Sequence, residues 1–201
     1  LGDVYKRQLD KLAELSIKTG VALQPGQDLL ITAPMEAAPL VRRLAHHAYK
    51  AGGGLVTPFY TDPEITLARY QHAAPESFDK TTDWLFEGMA AAFDKNTARL
   101  AVVGEDPMLL SGQNPEHVGR ANQAMSKASS PLRERITRFD INWNIVAWPG
   151  LQWAKLVFPQ MSDADAQIAL AEAIFKASRV NTSDPNGAWA VHNKNLRAHT
   201  E

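Results

Sequence analysis

Histidine pairs are the first candidates for chemistry in this sequence, because imidazole is a common metal ligand. His46 and His47 are neighbours, and adjacent side chains on a helix point about 100° apart, which disfavours chelation of one ion. His192 and His199 lie two helical turns apart, which separates their Cα atoms by about 10 Å. That distance is long for two ligands of one ion without a third between them. We therefore predict no metal site at either pair, and a packing or hydrogen-bonding role for His192 and His199.

Two further motifs could bind a ligand. Glu105 and Asp106 follow a predicted strand, at the sheet edge where α/β proteins usually bind ligands, but Asp106 before Pro107 is also a typical start of a helix. The run Gly52-Gly53-Gly54 closes a predicted helix and opens a strand, whereas a phosphate-binding loop follows a strand and opens a helix. For both motifs the sequence favours a structural role, as helix cap or turn.

Other kinds of site are absent from the sequence. No serine lies in a G-x-S-x-G elbow, and there is no cysteine, which excludes disulfides and a cysteine nucleophile and fits the cytoplasm. With 21 basic and 22 acidic residues, the chain shows no electrostatic footprint for nucleic acid or for a membrane surface. The residues alone thus indicate no catalytic, cofactor-binding or metal-binding residue.

A tryptophan-rich segment is the place where a ligand would be expected. Trp143, Trp148 and Trp153 fall in the sequence INWNIVAWPGLQWAKLVFP at residues 141–159. Residues 144–148 form a short apolar run that is typical of a strand covered on both faces. Pro149-Gly150 ends this strand, and a helix follows at residue 151. A junction of this type lies at the carboxyl edge of a parallel sheet.

The remaining elements alternate between strands and helices. Predicted strands cover residues 28–32, 55–60, 100–103 and 144–148. Helices are expected at residues 9–18, from Pro34, from Asp62-Pro63, at 79–95, from Asp106-Pro107, at 115–129, 132–139 and from Ser162. This order predicts an α/β fold with a mostly parallel sheet and helices on both faces.

Both ends of the chain read differently from its middle. Residues 1–8, LGDVYKRQ, lack an initiating methionine and resemble adaptor-derived read-through, so we exclude them from the predicted fold. Residues 9–180 form the predicted α/β domain, and residues 181–201 enter a helix from Pro185 without a stop signal. We expect this helix to continue toward a further domain and to fray here, because Trp189 and Leu196 need an apolar partner.

In order and spacing, the sequence resembles the N-terminal domain of the M29 family of metalloaminopeptidases, the thermophilic aminopeptidase T type. The most specific segments are GVALQPGQDLLITAPMEAAPLVRRLAHHAYKAGGG, VVGEDPMLL, the tryptophan-rich segment and AEAIFKASRVNTSDPNGAWAVHNKNL. The resemblance implies a two-domain, homodimeric hydrolase that removes N-terminal residues from peptides with two divalent ions, commonly zinc or cobalt. Its glutamate, histidine and aspartate ligands lie in the C-terminal domain, so none maps here and this fragment is expected to bind no metal.

Two classes of function remain open from the sequence. One is a part of a metalloaminopeptidase that is inactive alone, and the other is a non-catalytic module for ligand binding or oligomerisation. A third, nucleotide binding, is suggested only by the α/β pattern, and the order of the glycines argues against it.

Overall fold

The computed structural model describes residues 2–198 and contains a four-stranded parallel sheet with the order β2-β1-β3-β4. The strands are β1 (Leu29–Pro34), β2 (Val56–Thr61), β3 (Ala98–Val103) and β4 (Trp143–Ala147). The α-helices of these residues are α1 (Asp3–Leu15), α2 (Ala38–Lys50), α3 (Pro63–His72), α4 (Asp83–Phe93), α5 (Pro115–Ala128), α6 (Ser130–Thr137), α7 (Leu151–Val157), α8 (Asp163–Ala177) and α9 (Pro185–Ala198). A π-helical turn covers Ser16–Gly20, and 3₁₀ turns cover Met35–Ala37 and Pro75–Asp79.

Helices cover both faces of this sheet. Alternate residues of a strand point to opposite faces. Leu29, Ile31 and Ala33 of β1 belong to the larger core, together with buried side chains of α1, α2 and α8. Leu30 belongs to a smaller core under α4 and α6. The predicted α/β architecture with a parallel sheet between two layers of helices is confirmed.

Two helices begin at the caps that the sequence predicts. The Asp62 carboxylate accepts a hydrogen bond from the Glu64 N–H at 2.8 Å, with Pro63 as the first residue of α3. The Ser162 hydroxyl accepts from the Asp165 N–H at 3.2 Å at the start of α8. Both caps satisfy amides that have no partner within the helix. None of the helices in residues 2–198 combines the length and apolar character needed to cross a bilayer.

The first helix differs from its predicted bounds. It begins at Asp3 rather than at residue 9, and the Tyr5 ring meets Phe175 of α8 edge-on, with 5.6 Å between ring centroids. Exclusion of residues 1–8 from the fold was therefore wrong, although their read-through origin stays a prediction. Pro34 likewise ends β1 instead of starting a helix, because its extended conformation continues the strand to the 3₁₀ turn at Met35–Ala37.

A helix predicted at residues 79–95 begins only at Asp83, because Phe78 holds the preceding segment in a 3₁₀ turn. The Phe78 ring is fully buried and stacks on Tyr70 at 5.1 Å and on His117 at 4.4 Å between ring centroids. Arg69 lies over the same ring at 5.4 Å. These aromatic and cation-π contacts join α3, the turn and α5 into one layer.

The tryptophan-rich strand lies at an edge of the sheet, so the expectation of a strand covered on both faces was wrong. Of its residues, Val146 is buried in the larger core, whereas Ile145 on the opposite face is 51% exposed. The apolar run arises because one face packs on the core and the end of the strand enters a buried junction at Trp148. Periodicity alone does not distinguish such an edge strand from a central one.

Trp189 gives α9 a firm attachment to the rest of the domain. Its ring packs against the larger core, and its indole N–H donates to the Ser178 carbonyl at 2.9 Å. At the start of the helix, the Asn186 side chain accepts a hydrogen bond from the Thr19 hydroxyl at 2.6 Å. Trp189 therefore has an apolar partner, contrary to the expectation, and the side chain of Leu196 lies outside the described part of the structure. Fraying of this helix stays a prediction.

One buried side chain joins the amino ends of three strands. Gln27, which is 7% exposed just before β1, donates from Nε2 to the Asn96 carbonyl at 2.8 Å and to Asn142 Oδ1 at 2.6 Å. Its Oε1 accepts from the Gln24 N–H at 3.1 Å, and Asn142 Nδ2 donates to the Val21 carbonyl at 2.6 Å. Asn96 precedes β3 and Asn142 precedes β4, so this network fixes the register of β1, β3 and β4.

Replacement of the central glutamine tests the importance of this network. Gln27→Leu keeps the approximate volume but leaves the Asn96 carbonyl and Asn142 Oδ1 without their donor. We expect a loss of about 2 to 3 kcal/mol in the free energy of unfolding, measured by urea denaturation. Gln24→Leu, at an exposed position, is the control and should change stability by less than about 0.5 kcal/mol. Equal effects of the two substitutions would contradict a central role for Gln27.

Candidate functional site

The structure contains the carboxyl edge of a parallel sheet at which the sequence predicts a ligand. β1, β3 and β4 run parallel, so their carboxyl ends meet where Pro34, Val103 and Ala147 end the three strands. Trp148, Pro149 and Gly150 then lead from β4 into α7. The tryptophan-rich junction therefore lies at the carboxyl edge of a parallel sheet, as its sequence indicates.

Two glycines let the loops at this edge approach each other closely. A Cβ atom on Gly150 would lie 1.9 Å from the Gly104 carbonyl oxygen, and one on Gly104 would lie 2.2 Å from the Trp148 carbonyl oxygen. No side chain fits at such distances, so both positions require glycine. The Trp148 N–H also donates to the Val103 carbonyl at 2.7 Å, which extends the ladder into the junction. The space between β3 and β4 is thus filled by backbone at this edge.

Glu36 is a carboxylate at this edge that the sequence did not single out, because the segment after β1 was assigned to a helix. Its carboxylate accepts a hydrogen bond from the Leu151 backbone N–H at the start of α7. Desolvation raises the pKa of Glu36, the Leu151 hydrogen bond opposes this, and the charge of Glu105 adds to the increase. Because the folded state then holds this proton more tightly than the unfolded chain does, ionised Glu36 destabilises the fold as the pH rises above its ordinary pKa.

Glu105 and Asp106 are both engaged by nearby backbone. Glu105 Oε2 accepts from the Gly104 N–H at 3.1 Å, and Asp106 Oδ1 accepts from the Met108 N–H at 2.8 Å. The helix predicted from Asp106-Pro107 was wrong: consecutive turns follow, with the Ser111 N–H donating to the Met108 carbonyl at 3.0 Å. Asp106 caps a turn rather than a helix, which an Asp-Pro pair permits equally well.

The glycine run has the structural role that the sequence favours. After α2, Gly52 adopts a φ of +83°, and the Gly53 N–H donates back to the Ala48 carbonyl at 2.9 Å. Gly54 faces Asp28, whose carboxylate accepts from the Leu55 N–H at 2.7 Å. The run therefore ends a helix through a left-handed glycine and leads into β2.

The adjacent histidines also have separate structural surroundings. His47 is 7% exposed, and its Nε2 lies 3.0 Å from Asp10 Oδ1, which joins α2 to α1. The His46 ring meets the His47 ring edge-on, with 5.5 Å between centroids. The Asp10 contact accounts for the burial of His47.

His192 lies on α9 and contacts the segment that follows α8. Its Nδ1 is 3.2 Å from Arg179 Nη2, and its ring meets Trp189 edge-on at 5.3 Å. Arg179 in turn lies over the Trp189 ring at 5.5 Å. Packing and hydrogen bonding thus describe His192, as predicted, and His199 lies outside the described residues.

Residues 2–198 do not fit a dinuclear metal site. Such a site needs several carboxylates and histidines around one point. No group of three or more His, Asp or Glu side chains with that arrangement occurs among the described residues. The charge of Glu105 acts on Glu36 at the carboxyl edge, but each carboxylate accepts a hydrogen bond from a backbone N–H, of Leu151 for Glu36 and of Gly104 for Glu105. No metal-dependent step is therefore assigned to them.

Comparisons with known proteins identify the family of the chain. Residues 5–201 match the family model described as thermophilic metalloprotease, M29. Aminopeptidase T of Thermus thermophilus is 47% identical over 194 residues, which cover 96% of this chain and 48% of that protein. Aminopeptidase 2 of Geobacillus stearothermophilus is 35% identical over 192 residues, covering 96% and 46%.

A solved structure agrees in fold with most of this chain. Wild-type AmpT from Thermus thermophilus superposes with a TM-score of 0.89 at 46% identity, covering 94% of this chain and 46% of that one. The chain thus spans about half the length of the curated relatives it matches. Because nearly all of its residues match one family model, this chain belongs to the M29 family of thermophilic metalloproteases.

Proposed function

We propose that this chain is the α/β part of a metal-dependent aminopeptidase that removes N-terminal residues from peptides. The observation that supports this function is the M29 match over residues 5–201, together with relatives named Aminopeptidase T and Aminopeptidase 2. Those relatives are about twice as long as the region that this chain matches. A second domain of similar size, following this one, would hold the catalytic site.

The proposed metal site contains two divalent cations, zinc or cobalt, bound by residues outside this chain. The family description, which is that of a metalloprotease, supports the presence of metals. Their location is supported by the carboxylates at the carboxyl edge of the sheet, which accept hydrogen bonds from the Gly104 and Leu151 N–H groups. Residues 2–198 would then wall the active-site cavity and restrict which peptides enter it, without supplying a ligand.

Hydrolysis of a leucine chromogenic amide tests this division of roles. The 201-residue chain and a longer form that spans the full length of its relatives are each assayed with zinc, with cobalt and with a chelator. We expect the longer form to be active and chelator-sensitive, and the short chain to be at least about a thousandfold slower, because the metals supply several kcal/mol of transition-state stabilisation.

Each other outcome of this assay contradicts part of the proposal. Metal-dependent activity of the short chain would show that its own residues bind the ions. Inactivity of both forms with every metal would instead favour the non-catalytic module for ligand binding or oligomerisation. Circular dichroism of the short chain, matched to its helical content, verifies that it is folded in the assay.

We also propose that the enzyme is a cytoplasmic homodimer. The absence of cysteine from all 201 residues supports the location. An exposed apolar groove supports self-association: Leu55 and Trp84, each 70% exposed, line it together with Phe59 and Met89 at the amino-end side of β2. Apolar side chains of this size are seldom left in water when grouped together.

A charge placed in this groove tests the dimer. Trp84→Glu should weaken self-association of the longer form at least about tenfold, measured by sedimentation equilibrium, because a carboxylate would be desolvated at the interface. Met108→Glu is the control. Met108 is 53% exposed and follows β3, so it lies at the carboxyl end of the sheet, away from the groove. A monomeric parent, or equal effects of both substitutions, would rule out this surface as the dimer interface.

A further inference from the structure

The two edges of the sheet differ in how they are protected. Leu29 of β1 pairs with Val56, and the Leu29 N–H donates to the Leu55 carbonyl. In a parallel ladder, the N–H groups of residues 56, 58 and 60 in β2 therefore point away from β1. The Val56 N–H donates to the Tyr49 hydroxyl at 3.2 Å, and Pro58 has no N–H. A proline and a capped amide block the addition of another strand.

Among the described residues, neither a proline in β4 nor a side-chain hydrogen bond protects the outward amides of this strand in the same way. The Asn142 carbonyl and the Trp148 N–H form hydrogen bonds with β3. In a parallel ladder, every second residue of a strand directs its N–H and carbonyl toward the same neighbour. Ile145 and Ala147 therefore direct their backbone groups away from β3. Ile145 is also half exposed. Two consecutive outward positions without proline therefore present donors and acceptors at the spacing that a fifth strand requires.

A groove runs along this open edge. It has a volume of about 470 Å³, and β4 forms one of its walls through Ile145 and Ala147. Leu12 and Leu15 of α1 and Trp189 and Asn193 of α9 contribute to the other walls. Apolar and amide side chains thus lie beside unpaired backbone, a combination that suits an extended polypeptide segment.

We propose that this groove binds an extended segment from the part of the longer protein that the present chain does not span, and that the segment adds a fifth strand to β4. The inference rests on the proposed function, because it takes the full protein to have the length of its relatives, of which this chain covers about half.

The position of the groove favours this occupant over a separate molecule. α1 and α9, the first and last helices of the described residues, both line it. Leu12 and Leu15 lie at the carboxyl end of α1, whereas Trp189 and Asn193 belong to the last described helix. Polypeptide that follows α9 would therefore be tethered near the open edge, which raises its effective concentration to about the millimolar range. A free peptide or a second copy of the chain has no such advantage.

Hydrogen exchange at single amides tests the fifth strand in the short chain and in the longer protein. In the short chain, the Ile145 and Ala147 amides should exchange quickly while Val146, whose amide faces β3, is protected. In the longer protein, both outward amides should slow by at least about a hundredfold. Tyr60, an outward residue of the protected edge, should exchange equally fast in both and serves as the internal control.

A matched pair of proline substitutions provides a second measurement in the longer protein. Ile145→Pro removes an outward N–H without removing a bond to β3, as Pro58 does in β2, and should accelerate exchange at Ala147 about tenfold or more. Tyr60→Pro makes the same change at the other edge and should leave Ala147 unaffected. Unchanged protection of Val102 in β3 verifies that both variants keep the sheet.

The remaining outcomes overturn the proposal. Fast exchange at Ile145 and Ala147 in the longer protein would show that no strand is added. Protection that depends on protein concentration would assign the edge to a second copy, and protection only with added peptide would assign it to substrate. Amide hydrolysis is measured on the same samples, so loss of the proposed function and loss of the fifth strand are distinguished.

Discussion

The buried amide of Gln27 is the interaction on which the order of the sheet most depends. One side chain joins the turn before β1 to the residues that precede β3 and β4, and it does so with hydrogen bonds that satisfy all of its own polar atoms. At the carboxyl end of the sheet, Gly104 after β3 and Gly150 after β4 allow the backbones that leave these two strands to touch. Contacts at both ends of β3 and β4 thus favour one register, and the helices pack on a sheet in that register.

The carboxyl edge of the sheet has a structural role in this domain. The place where open α/β sheets usually bind ligands is filled by glycine backbone, by the buried Trp148 and by carboxylates that bond to local amides. Under the proposed function, the chemistry would take place in polypeptide that this chain does not span. This domain would then offer that polypeptide a wall and one open strand edge.

Local signals predicted much of this fold. Some features depend only on residues that are close in sequence, so they can be predicted from the sequence alone. They are the caps at Asp62 and Ser162, the parallel strands and the turn at Gly52. The errors concern contacts between distant residues. Phe78 lies in a 3₁₀ turn because its ring stacks on rings of α3 and α5. β4 is an edge strand because of the order in which the strands are connected. Neither cause can be recognised from a short segment of the sequence. Glu36 was missed for the same reason, since its partner Leu151 is 115 positions away along the chain.

The central claim is that catalytic metals of the full protein are bound outside this chain. Anomalous X-ray scattering from crystals of the full-length protein, recorded above and below the zinc or cobalt absorption edge, tests it directly because the peaks locate the ions without reference to activity. We expect peaks whose protein ligands all lie outside residues 1–201. A peak within bonding distance of about 2.0 to 2.3 Å from Glu36, Glu105 or His192 would contradict it.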